Sequence, residues 1–103
     1  MNKGPNNFVA KTVNLLHYQM DYAKEVRDFV VSNFLFGEAG SLQDDTSFLD
    51  SGIIDSTGML EMIMFLENNC GVKIEPEEMV PENLDSINRV VQFLKRKLAS
   101  TPA

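Results

Sequence analysis

The residues best suited to covalent chemistry stand around position 56, where Asp55-Ser56-Thr57-Gly58 joins a loop-like segment to a helical pattern. A serine at a helix start presents a primary hydroxyl, exposed and unhindered, that an enzyme can use as the acceptor of a transferred group. Thr57 is next to it, but its hydroxyl is secondary and more hindered. Asp-Ser is also an ordinary way to cap a helix, and for the dipeptide alone that is the commoner reading.

The other reactive side chains offer less. Cys70 is the single cysteine, so no internal disulfide can form. It continues an apolar helical stripe with no His or cation close in sequence, and is expected to be buried and inert. His17 is the single histidine and lies in the N-terminal stretch, so a catalytic dyad or a metal cluster has nothing to build from. Asp44, Asp45 and Asp50 lack the alternating ligands and central glycine of a calcium loop and read as solvated loop. The expectation is a chain with no catalytic and no metal-ligating residues, acted upon rather than acting.

Ser56 must be positioned by the elements around it. Tyr22, Val26, Phe29, Val30 and Phe34 form the stripe of an amphipathic helix over about Asp21 to Phe36, with Asp21 as N-cap and Gly37 and Gly40 as stops. Glu38 to Asp55 shows no sustained period, yet holds Phe48, Leu49, Ile53 and Ile54, each costing about 1.5 to 3 kcal/mol to leave in water. That long loop must therefore lie across the core.

A second helix runs from about Ser56 to Asn69, capped by Asp55 or Ser56 and closed by Gly71. Its core stripe is Met59, Met62, Ile63, Leu66 and Cys70, while Leu60, Met64 and Phe65 lie off it, leaving apolar surface for a partner or cargo. Val72 to Ile74 reads as an extended link and Pro76 to Met79 as a turn. Pro81 to Leu84 reads as one short helix, with Pro81 at its first position. A last helix, capped by Asp85 or Ser86, carries Ile87, Val90, Val91, Leu94 and Leu98 inward. The fold class is all-α: an irregular four-helix bundle of three main helices and one short one, with a long loop between helices one and two.

With 103 residues, 44% of them hydrophobic and 23% charged, the chain supports one globular domain. We assign residues 1–19 to an N-terminal extension, either a loose tail or a prolongation of helix one, residues 20–99 to the domain, and residues 100–103 to a C-terminal tail. The net charge of −6 repels phosphate backbones and argues against nucleic acid as a partner. It suits partners that present Lys and Arg. No apolar run reaches the roughly 20 residues of a membrane span, and no signal-peptide pattern opens the chain, so a cytoplasmic monomer is expected.

The stretch Gly52-Ile53-Ile54-Asp55-Ser56-Thr57-Gly58-Met59-Leu60-Glu61-Met62-Ile63-Met64-Phe65-Leu66-Glu67 resembles the prosthetic-group attachment region of acyl and peptidyl carrier proteins. The likeness continues through Phe48 and Leu49, Gly71-Val72-Lys73-Ile74, Pro81-Glu82-Asn83-Leu84 and the stripe of the last helix, covering about Asp21 to Leu98. The resemblance implies that Ser56, preceded by Asp55, carries a phosphopantetheine arm derived from coenzyme A, and that the chain holds acyl or aminoacyl groups as thioesters for biosynthetic enzymes of fatty acid, polyketide or related synthesis. It also implies its partners: a phosphopantetheinyl transferase, an adenylate-forming ligase or acyltransferase, and synthase or condensing enzymes. The outward docking positions that it implies are Asp55, Thr57, Gly58, Glu61, Met64 and Asn68, with Glu67 beside them. Thr57 and Gly58 depart from the family's commonest pattern, a Leu and then an acidic residue after the Ser. A peptidyl or aminoacyl carrier working with an adenylating ligase is the nearest alternative. From another class, the rival is a helical protein-interaction domain in which Ser56 is only a cap.

Overall fold

The computed structural model describes residues 21–99. The assigned extension over residues 1–19 with His17, the residue before Asp21, and the tail over 100–103 lie outside them. Within them the fold is all-helical, without strands: α1 Tyr22–Phe34, α2 Phe48–Ser51, α3 Ser56–Cys70, a 3-10 turn Pro76–Glu78, α4 Pro81–Leu84 and α5 Ile87–Ala99.

Each boundary has a local cause. The Asp21 carboxylate opens α1 by accepting the Lys24 N–H at 3.1 Å. The helix ends two residues before the expected Phe36, because Phe36 swings to a positive φ of 55° and the Gly37 N–H returns to the Val31 carbonyl at 2.9 Å. Only three long helices were expected beside the short one; α2 is an additional turn inside the long loop. Ser47 caps it, accepting the Asp50 N–H at 3.0 Å, and Gly52 ends it in the left-handed region. Four residues are too few to show a period, so nothing in the pattern announced this turn.

The core draws on all five α-helices, the long loop and the link after α3. Val26 and Val30 of α1, Met62 and Leu66 of α3, and Ile87, Val90 and Leu94 of α5 are all fully enclosed. The loop adds Leu42, Phe48 and Ile54, and the link after α3 adds Val72 and Ile74. The loop thus crosses the core as its hydrophobic residues require, though Leu49 departs from expectation and stays exposed. Phe93 is a further core residue on α5.

Polar ties hold the loop down. The Arg27 guanidinium donates to the Leu42 carbonyl at 3.1 Å and pairs with Asp44. The Asn88 N–H donates to the Asp44 carbonyl at 2.9 Å. Lys97 on α5 reaches Glu78 at 2.9 Å and so anchors the 3-10 turn. The Glu75 N–H and this lysine together hold the Glu78 carboxyl below its ordinary pKa.

Candidate functional site

The first turn of α3 settles which residue does the capping. Asp55 is extended, and its Oδ1 accepts the Gly58 N–H at 2.8 Å. The first bond of the helical ladder runs from the Met59 N–H to the Asp55 carbonyl at 2.9 Å. Asp55 is therefore the N-cap, and Ser56 is the first residue of the helix. Ser56 is exposed and holds no capping duty. Its own N–H and that of Thr57 remain at the open end of the helix. Such an end favours an anionic substituent by about 0.3 to 1 kcal/mol.

Beside Ser56 opens an apolar cleft of about 240 Å³. One wall is α3, contributing Met59, Leu60 and Ile63; Leu49 of α2 and the stretch Met79 to Pro81, with Leu84 behind it, complete the lining. Met59, expected in the core stripe, is half-buried and faces this cleft, while Met62 is fully buried and Met64 is exposed. The three methionines thus have three different surroundings and do not form one pocket. Leu49, Leu60, Met79, Val80 and Pro81 were not among the candidate site residues. The signal available was an apolar side chain beyond the core stripe at Leu60, and an apolar Met79-Val80 pair ahead of Pro81.

The positions expected to face outward divide. Asp55, Thr57, Glu61, Met64 and Asn68 are exposed. Gly58 is a correction: it is buried, and a Cβ there would lie 2.7 Å from Phe34 Cε1 and 3.1 Å from Ile54 Cγ2. The absence of a side chain lets α1 close onto the start of α3. Glu67 is half-buried, its Oε2 accepting the Ile74 N–H at 3.0 Å, so it ties the end of α3 to the following link. Phe65, off the core stripe, stacks on Phe29 at 4.3 Å. Exposed apolar surface on α3 is thereby narrowed to Leu60 and Met64, 58% and 60% exposed and one turn apart, on the side of the helix that Ser56 begins.

Cys70 closes α3, 2% exposed. Burial, with a smaller push from Glu25, raises its thiol to a pKa of about 11. Among the described residues no group of His, Cys, Asp or Glu is arranged to hold a metal ion, and no helix is long and apolar enough to cross a membrane.

An exposed primary hydroxyl, an unencumbered helix end and an adjoining apolar cleft fit a residue that receives an anionic linker bearing an organic group. Comparison with known proteins supplies a family. The family described as the phosphopantetheine attachment site matches residues 35–94. The D-alanyl carrier protein of Streptococcus uberis is 34% identical over 61 residues, 59% of this chain and 77% of that protein. That of Abiotrophia defectiva is 32% identical over 56 residues, 54% of this chain and 71% of that one. An acyl carrier protein from Solidesulfovibrio magneticus is 27% identical over 78 residues, 76% of this chain and 96% of that protein.

Proposed function

This chain belongs to the phosphopantetheine attachment-site family, a family of carrier proteins, and from that premise we propose that Ser56 bears the prosthetic group and that the protein passes acyl or aminoacyl groups between separate enzymes. When attached, phosphopantetheine supplies a terminal thiol on which cargo is held as a thioester. The observation that carries the reading is the division of labour at the start of α3: Asp55 does the capping, and Ser56 stands exposed with nothing structural to do. That division also counts against an interaction domain in which Ser56 is only a cap.

In the modification step the Ser56 hydroxyl is the acceptor. Its oxygen attacks the phosphorus of coenzyme A on the pantetheine side, the new O–P bond replaces the bond to the nucleotide half, and the hydroxyl proton passes to the transferase. The resulting anion would lie against the open N–H groups of α3. Asp55 holds the turn in place by its bond to Gly58, and the apolar cleft offers shelter to the part of the cargo nearest the protein.

Two relatives are named D-alanyl carrier proteins, which supports a small aminoacyl or acyl cargo activated by an adenylate-forming ligase. The relative named acyl carrier protein supports the broader reading, with an acyltransferase loading and a synthase or condensing enzyme unloading. We place these partners on the face made by Thr57, Leu60, Glu61, Met64 and Asn68, the exposed flank of α3 that runs on from Ser56. The carrier domain spans residues 20–99, does no chemistry of its own and works as a monomer in the cytoplasm, where coenzyme A is made.

Intact mass tests this. Incubated with coenzyme A, magnesium and a broad-specificity phosphopantetheinyl transferase, the purified apo chain gains one phosphopantetheine and the Ser56→Ala variant gains none. No gain in the parent chain, with a known carrier labelled in parallel, would overturn the proposal.

A further inference from the structure

One carboxylate outside the attachment site holds together the two walls of the cleft that face α3. Asp85 follows Leu84, whose side chain is 2% exposed and lines that cleft. It accepts three hydrogen bonds, all from the first turn of α2, 36 to 38 residues earlier in the chain. Its Oδ1 takes the Leu49 N–H at 2.9 Å, its Oδ2 takes the Ser47 hydroxyl, and its main-chain carbonyl takes the Phe48 N–H at 2.8 Å. The cap of α5 is the neighbouring Ser86, whose Oγ accepts the Arg89 N–H at 3.1 Å. Asp85 is thus free of the capping duty its position in sequence suggests, and its side chain is committed to α2.

An α-helix of four residues cannot hold its own geometry in water, because one turn does not repay the cost of nucleation. Its orientation comes from its anchors. Phe48, fully buried, fixes the turn to the core. Leu49, 40% exposed, has no such anchor, and its backbone is held by Asp85. Leu49 is the contribution of α2 to the cleft beside Ser56.

We infer that Asp85 is a positioning residue that fixes Leu49 as a wall of the cleft beside Ser56, and so sets how much of a cargo group the cleft takes in. The inference rests on the carrier reading. Because Phe48 stays in the core when the carboxylate is removed, the latch can be broken without dismantling the fold. Asparagine preserves it: Oδ1 still accepts from Leu49, and the side-chain amide can donate to the Ser47 hydroxyl.

The test loads the full chain, with methyl-labelled leucine and isoleucine, from acetyl-, butyryl- and octanoyl-coenzyme A. NMR then follows the methyl shifts of Leu49, Ile63 and Leu84. In the wild type all three respond to cargo length. In Asp85→Ala, Leu49 loses most of its response while Ile63 and Leu84 keep theirs, and its amide exchanges with solvent faster by about tenfold or more. Asp85→Asn restores both. Ser47→Ala removes the hydroxyl bond to Asp85 together with the cap bond from the Asp50 N–H but leaves the Leu49 N–H on Asp85 Oδ1; it weakens the Leu49 response to a lesser degree, and it serves as the test if Asp85→Ala does not fold. A Leu49 response unchanged in Asp85→Ala, a loss shared equally by all three methyls, a failure of Asp85→Asn to restore it, or a wild type whose methyls ignore the cargo would each overturn the inference. A wild-type chain that gains no mass at all would overturn the carrier reading itself, and is separately visible by mass spectrometry before any NMR is done.

Discussion

Ser56 and Cys70 stand at opposite ends of α3, and the fold treats them in opposite ways. The thiol is the better nucleophile by nature, yet it is 2% exposed and its pKa is pushed to about 11, so at neutral pH it stays protonated and out of reach. The hydroxyl is a poor nucleophile, yet it is exposed at the open end of the helix, where an enzyme can bring both a base and an electrophile to it. Access, rather than intrinsic reactivity, decides which of the two an enzyme can reach. The rest of α3 follows the same division: Met62, Leu66 and Cys70 bind the helix to the core, while Leu60 and Met64 stay exposed to solvent.

Leucines on the two sides of α3 give the largest contrast. Leu66→Ala empties a fully buried site and should cost about 2 to 5 kcal/mol, read as a lowered denaturation midpoint, while folded protein still accepts the prosthetic group. Leu60→Ala should leave the midpoint nearly unchanged and slow loading by partner enzymes instead. Equal effects on stability at the two positions would break the division.

Cys70 sharpens it next. A thiol reagent at pH 8 should find no reactive thiol in the native apo chain and one in the chain that carries phosphopantetheine without cargo. A native apo chain that reacts would contradict the burial of Cys70. Cys70→Ser places a hydroxyl in apolar surroundings and should cost about 1 to 3 kcal/mol in chemical denaturation without affecting loading. The direction of the thiol's shift adds a pH dependence. Because burial favours the protonated form, its contribution is complete below the ordinary value of 9.0 and is lost as pH rises towards about 11.

Asp55 comes third. Asp55→Ala leaves the Gly58 N–H without its cap and should cost about 0.5 to 2 kcal/mol, whereas Ser56→Ala, at a position that caps nothing, should change stability by less than about 0.5 kcal/mol. The reverse ranking would return the cap to Ser56.

The smallest effect lies away from α3. Glu78 is held below its ordinary value of 4.5 by the Glu75 N–H and Lys97, so its contribution is present above that pH and is lost as acid protonates it. Glu78→Gln should flatten a shallow decline in the denaturation midpoint below pH 4.5, and an unchanged acid limb would remove the Lys97 tie from the account.

Much of this was legible in the sequence for a physical reason: the long helices advertise themselves through a period of 3.6, and α1, α3 and α5 all carry one. Burial of Phe48 and Ile54 followed from the cost of exposing them. What escaped notice involves groups whose role depends on residues far away in the chain. Gly58 has no side chain to register as apolar, although Gly58, Met62, Leu66 and Cys70 fall at successive i, i+4 positions on the buried side of α3. Asp55 and Ser56 are both good caps, and only the bond from Gly58 to Asp55 decides between them. Asp85 reads as a cap for α5, but its partners lie 36 to 38 residues away on α2. The cleft likewise joins Leu49, α3 and Pro81, which no local pattern relates.

The most direct test of the central claim is to digest the transferase-treated chain and locate the added group by fragment-ion mass spectrometry. The account predicts phosphopantetheine on Ser56 alone, with Thr57 and Cys70 unmodified. The group on either of those residues, or on none, would contradict it.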